Sequence, residues 1–155
     1  MPENLIFTER EINFLKELLK EHVDFMIVGL SAAALQGAPI VTQDIDLWFK
    51  NLSDSGIQRA LKKVGGIYIP PINLNPPMFA GDAVNLFDIV LHMDGLDTFE
   101  KEEKNSIKIP IEELKVKVLS LERIIESKKI AGRQKDKLVL PVLADALISI
   151  REKGG

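Results

Sequence analysis

The sequence predicts an α/β fold in a single domain, and three observations carry that prediction. Short apolar runs of strand length, Val23 to Val28 and Val84 to Leu91, alternate with stretches in which apolar residues recur at helical spacing. The last third of the chain is helical in pattern and follows two short strand-like segments. At 155 residues, with 46% hydrophobic and 28% charged side chains, the chain is long enough to bury a core and short for two domains. The single domain spans 1–155, with a core over about 24–118 and closing helices over about 120–150.

Each element has a local reason. Thr8-Glu9-Arg10-Glu11 reads as a capping box, and Ile12, Leu15, Leu18 and Leu19 then mark one face of a helix reaching about Glu21. Val23 to Val28 is a short buried strand that Gly29 ends. Ser31 to Gln36 is rich in Ala and Leu and reads as a helix stopped by Gly37-Ala38-Pro39. A second strand covers Asp44 to Lys50. Ser53 is placed to cap a helix through Lys63, which Gly65-Gly66 terminates. The segment with Pro70, Pro71, Pro76 and Pro77 is a long loop, a candidate for shaping an acceptor cleft. Val84 to Leu91 is apolar at nearly every position and predicts a strand buried on both faces. Glu100 to Asn105 is a charged turn or solvated face, and Ile107 to Ile109 and Val116 to Val118 are later short strands. Ser120 caps a helix to about Ile130. Asp136 to Ile150 carries a further helical stripe, which Pro141 should break or kink.

Composition removes several function classes. A formal charge of -3 provides no global basic field, so a dedicated duplex DNA binder is not expected. No cysteine and only two histidines, His22 and His92, leave little for zinc, thiol or Ser-His-Asp chemistry. No apolar run reaches the roughly 20 residues that cross a bilayer, so no membrane partner is expected. Met1-Pro2-Glu3-Asn4 lacks a signal peptide's basic start, and the expected location is cytoplasmic.

Chemistry enters at Asp44-Ile45-Asp46, which runs into Leu47-Trp48-Phe49. Side chains alternate along a strand, so Asp44 and Asp46 share a face about 6.5 Å apart while Ile45, Leu47 and Phe49 point to the core. Asp88 is the acid inside the second apolar strand. An ionised carboxylate there is costly unless paired, hydrogen-bonded or bound to a cation. If the two strands are neighbours, three acids converge, and such oxygen donors suit Mg2+ or Mn2+ in phosphoryl transfer. Asp44 equally suits a turn, and Asp88 a buried cation or a cap. Trp48 is expected to pack rather than stack on a base, His92 to sit at a strand end on the surface, and His22 at a helix C-terminus.

Val28-Gly29-Leu30-Ser31, a short helix, Gly37, then Thr42-Gln43-Asp44-Ile45-Asp46-Leu47 and Asp88 on a later strand together resemble the nucleotidyltransferase superfamily, whose members share the palm-like core of DNA polymerase β. The resemblance implies a mixed β-sheet flanked by helices and a metal-dependent enzyme. Such an enzyme moves a nucleoside monophosphate from a nucleoside triphosphate to an acceptor hydroxyl and releases pyrophosphate. It implies that Asp44, Asp46 and Asp88 are catalytic and bind Mg2+ or Mn2+, with Asp88 holding metal or taking the acceptor proton. Gly29 and Ser31 then belong to a phosphate-binding turn, consistent with the unpaired N–H groups of a helix N-terminus. Ser120 to Lys129, continuing to Gly132-Arg133-Gln134-Lys135-Asp136, resembles small stand-alone prokaryotic nucleotidyltransferase-like proteins, including relatives of toxin–antitoxin systems. That resemblance places Lys128 and Arg133, with Lys135, near nucleotide phosphates, or else makes this stretch a helix junction capped by Asp136. The acceptor is left open among RNA, a protein and a small molecule. Leu30 stands where the family has Gly or Ser, which supports an alternative: a catalytically inactive nucleotide-binding or protein-interaction module on the same fold, working with a partner protein.

Overall fold

The computed structural model describes residues 7–154, so the Met1 to Asn4 segment lies outside the described residues. The elements in chain order are α1 (Glu9–Lys20), β1 (Phe25–Val28), α2 (Gly29–Leu35), β2 (Ile45–Phe49), α3 (Ser55–Lys63), β3 (Ile67–Ile69), β4 (Met78–Ala80), β5 (Phe87–Val90), α4 (Phe99–Glu102), β6 (Ser106–Ile111), β7 (Leu114–Leu119), α5 (Leu121–Ala131) and α6 (Gln134–Lys153). Five strands form one sheet in the order β5-β2-β1-β7-β6. β1 runs antiparallel to β2 and parallel to β7, β2 runs parallel to β5, and the β6–β7 hairpin is antiparallel, so the sheet is mixed, as expected.

Strand alternation divides the sheet's two faces. Phe25 on β1, Phe49 on β2 and Phe87 on β5 meet α1 and the β3–β4 hairpin in an aromatic cluster. Its ring separations are 5.1 Å for Phe14–Phe87, 5.5 Å for Phe14–Phe79 and 5.9 Å for Phe49–Phe79. The opposite face carries Asp46, Trp48 and Asp88. Trp48 is buried there edge-on against Phe99, at 5.7 Å, which bears out its expected packing role.

Several local readings need correction. β5 is an edge strand rather than one buried on both faces: Phe87 is buried, Ile89 and Val90 are half-buried, and Asp88 is exposed. The apolar run misled because Val84 belongs to the preceding turn. The Pro70–Pro77 segment is closed by the β3–β4 hairpin, with an isolated bridge between Ile72 and Asn75. Phe79 anchors this hairpin on the sheet face away from the acids, so the segment does not shape the cleft between acids and helices. α3 is capped by Asp54, whose Oδ1 accepts from the Gly56 N–H at 2.8 Å, because Ser53 is drawn back to Asn51. Glu100 to Asn105 is largely solvated as expected, with Glu100, Lys101, Lys104 and Asn105 exposed, but it forms α4 and a 3-10 turn and buries Glu102, which Arg123 holds at 2.8 and 2.9 Å. α6 continues through Pro141, since buried Asp136 on one side and buried Leu143 and Ala146 on the other anchor both halves. His22 does follow the C-terminus of α1 as expected, in a left-handed conformation, φ 56°, with its N–H on the Leu19 carbonyl at 3.0 Å.

Candidate active site

The acid floor arises from strand register. β2 and β5 are parallel neighbours in which Asp46 lies directly opposite Asp88, and directly opposed residues project to the same face. The two Cα atoms are thus separated only by the inter-strand spacing, about 5 Å. Asp44 stands exposed at the entrance to β2, and Asp46 is half-buried. Burial and then Asp88 raise the Asp46 carboxyl from 3.8 to about 7; Lys128 pulls it down, Asp44 adds a smaller push upward, and Lys135 a smaller pull downward. Burial and Asp44 also raise Asp88. The desolvation argument drawn for Asp88 from its apolar neighbours holds there and applies more strongly to Asp46, which lies on a strand paired on both edges.

The turn from β1 into α2 is shaped around Asp46. Gly29 has φ 67°, a left-handed conformation that favours glycine. A Cβ on Gly29 would overlap the Asp46 carboxylate oxygen and lie 3.1 Å from its Cγ. The absent side chain therefore provides the space for the acid. Ser31 is fully buried; its hydroxyl donates to the Val28 carbonyl at 2.7 Å and accepts from the Asp46 N–H at 3.1 Å. Expected to touch phosphate, Ser31 instead lies beneath the floor, with its side chain bridging the end of β1 to β2. Gly29 and Leu30 line the cavity above it.

The facing wall comes from the α5–α6 junction. Gly132 ends α5 in a left-handed conformation, φ 59°, with its N–H on the Lys128 carbonyl at 3.0 Å. Arg133 then caps α6, so the chain reverses within two residues. Lys128 Nζ lies 3.3 Å from Asp136 Oδ1, and Arg133 Nε 2.7 Å from Asp136 Oδ2. Hydrogen bonds from Arg133, then from Lys128, hold the Asp136 carboxyl down at about 2 despite burial.

Floor and wall enclose a cavity of about 440 Å3, within the range of small-molecule sites. The structure brings together Gly29, Asp44, Asp46, Asp88, Lys128 and Arg133 around it, and leaves Ser31 out. Sequence reasoning missed Asp94 and Met93, which lie on the rim beyond β5 in a segment without periodicity. His92 is on this rim too, exposed, with Nε2 3.8 Å from Asp94. Among the described residues no group of three or more His, Cys, Asp or Glu side chains forms a ready metal site. Exposed Asp44 and Asp88 flank Asp46.

The five-stranded mixed sheet flanked by helices is the fold expected above, and solved nucleotidyltransferases share it. The chain is similar to a crystal structure of the aminoglycoside nucleotidyltransferase ANT(2'')-Ia in complex with adenylyl-2''-tobramycin, at 15% identity and TM-score 0.58, over 93% of this chain and 96% of that one. It is also similar to a solution structure of the antibiotic-resistance factor ANT(2'')-Ia, at 14% identity and TM-score 0.57, over 92% and 89%. No protein-family model and no curated protein matches the chain. No helix among the described residues is long and apolar enough to cross a membrane.

Proposed function

We propose that this chain transfers a nucleoside monophosphate from a nucleoside triphosphate to an acceptor hydroxyl, with both walls of the site contributed by a single domain. The observation that carries the reading is the in-register pair Asp46 and Asp88 facing Lys128 and Arg133 across the cavity. Triphosphate and cations attract, while the carboxylates face the site of reaction. The acceptor oxygen forms a bond to the α-phosphorus, the bond from that phosphorus to the β-phosphate oxygen breaks, and pyrophosphate leaves. The acceptor proton passes to Asp88, the more exposed acid of the pair. Lys128 and Arg133 hold the leaving phosphates by charge-assisted hydrogen bonds.

The donor chemistry of the floor fits a hard divalent cation. Its donors are oxygens alone, and Asp46 is pushed up by burial first and then by Asp88, with no cation hydrogen-bonded to its carboxylate among the described residues. Asp44, Asp46 and Asp88 would hold Mg2+ or Mn2+, which supplies charge neutralisation to the phosphoryl group when bound. ANT(2'')-Ia with adenylyl-2''-tobramycin makes adenylyl a reasonable first choice of transferred group and a small hydroxylated molecule a first choice of acceptor. RNA and protein acceptors belong in the same panel.

The test is calorimetric titration of each nucleoside triphosphate with Mg2+ or Mn2+ into the wild type and the Asp44→Asn, Asp46→Asn double variant. Metal-dependent binding lost in the variant is expected; no binding to wild type refutes the reading. A second reading follows from Leu30, whose side chain belongs to the cavity wall: a binding module without transfer, working with a partner protein. Metal-dependent binding without labelling of RNA, protein or small hydroxylated acceptors by α-labelled triphosphates would select it.

A further inference from the structure

The reaction above leaves the carboxylate of Asp136 without a part. We infer that Asp136 is a positioning residue that holds Lys128 and Arg133 as a preset two-cation clamp for the triphosphate, an inference that rests on the nucleotide reading. Asp136 is 1% exposed. Its Oδ2 accepts from Arg133 Nε at 2.7 Å and from the Arg133 backbone N–H at 3.2 Å. Its Oδ1 accepts from Lys128 Nζ at 3.3 Å and Arg133 Nη2 at 3.3 Å. A buried charge with both oxygens doubly engaged fastens α5 to α6, and that structural role alone would explain its burial.

What the two cations retain points further. An ammonium has three donors, and Lys128 gives one to Asp136. Its side chain is only 15% exposed, and its charge still acts on Asp46 across the cavity. Arg133 spends Nε and Nη2 on Asp136, while Nη1 has no hydrogen bond among the described residues and the side chain is 54% exposed. Long cationic side chains lose considerable rotamer freedom when they grip a ligand. Asp136 imposes that ordering before the nucleotide arrives, so less is lost on binding. It also offsets one of the two positive charges beside the largely buried Lys128.

The experiment is calorimetric titration with ATP and Mg2+, and separately with inorganic tripolyphosphate, of wild type, Asp136→Asn, a Lys128→Ala, Arg133→Ala double variant and the triple variant. Loss of a charged hydrogen-bond partner should weaken both ligands by on the order of ten- to a hundredfold in Asp136→Asn. The same substitution should have little further effect once both cations are gone, because a positioning residue acts only through what it positions. A merely structural Asp136 would weaken binding equally in both backgrounds, and that result overturns the inference. So does Asp136→Asn binding like wild type. Wild type binding neither ligand overturns the nucleotide reading and this inference with it, a different pattern from the first two. Thermal melts report whether each variant folds. If Asp136→Asn does not fold, exposed Arg133→Lys carries the test: it keeps the charge but loses the fork on Asp136. Weakened binding is expected; unchanged affinity for both ligands overturns the inference.

Discussion

Asp46→Asn should make this protein more stable at pH 8 while removing its activity. The Asp46 carboxyl moves from 3.8 in the unfolded chain to about 7 in the fold. Between those values the native state keeps a proton that the unfolded chain has released, so native protein binds more protons and stability falls as pH rises. The loss begins near pH 4 and is complete above about pH 7. Taken whole, the shift corresponds to about 4 kcal/mol. Asp46 is half-buried and water reaches it, so about half, roughly 2 kcal/mol, is the expected cost of its charge. Asparagine has nearly the same shape and no charge. For a chain of this size 1 kcal/mol is worth about 2–4 °C, which predicts a melting temperature about 6 °C above wild type at pH 8. The gap should close towards pH 5. Asp136 and Glu102 are shifted down, so their stabilisation is lost only as pH falls below the ordinary carboxylate range and does not shape this window. Thermal unfolding followed by far-ultraviolet circular dichroism at pH 5 and 8 is the assay. An Asp46→Asn variant no more stable than wild type at pH 8 would refute the reasoning. Mg2+ should raise the wild-type melting temperature at pH 8 and leave the variant's in place.

Gly29→Ala should destabilise by a few kcal/mol in urea unfolding, because it sets a Cβ on the Asp46 carboxylate at a positive φ. In an Asp46→Ala background the same change should cost only the backbone term, about 1–2 kcal/mol. Equal costs in both backgrounds would dissociate Gly29 from the acid. Phe79→Ala should cost about 3–5 kcal/mol through the aromatic cluster yet leave triphosphate affinity unchanged where the variant is folded. A matching loss of affinity would place the β3–β4 hairpin in the site after all. Pro141→Ala restores a helical N–H and should raise the melting temperature by several degrees, from about 3 kcal/mol of helix propensity; no increase would show that the helix bears no penalty there.

The sequence made the floor readable because strand alternation is strict. Once Asp44-Ile45-Asp46 leads into Leu47 and Phe49, the carboxylates have a face of their own, and the structure places Asp46 opposite Asp88 as adjacency of the strands required. Where β5 sits in the sheet was not readable, since an apolar run looks the same at an edge as in a centre. That makes Asp46, rather than Asp88, the more strongly desolvated of the two carboxyls. β3 and β4 are three residues each and lie beside prolines, too short to show a period. Ser31 carried the right residue type for a phosphate contact, but its hydroxyl had a nearer claim in the Val28 carbonyl and the Asp46 N–H. The basic wall was legible as a charged junction. That one buried carboxylate gathers it follows from the tight reversal at Gly132, which no spacing announces.

The pairing of β1 with β7 bears on how the chain acquires its shape. Ile27 lies beside Val118, across most of the intervening sequence. β1 is the central strand, so the sheet is not closed until β7 arrives, and closure of so long a loop is slow to repay its entropy. α5 and α6 follow β7 directly, so on a ribosome-bound chain the basic wall is made after the acid floor. A nascent chain halted before that point displays its carboxylates on an unfinished sheet with nothing to grip a triphosphate. On the nucleotide reading proposed above, capture of a triphosphate begins only once synthesis has passed the end of the sheet.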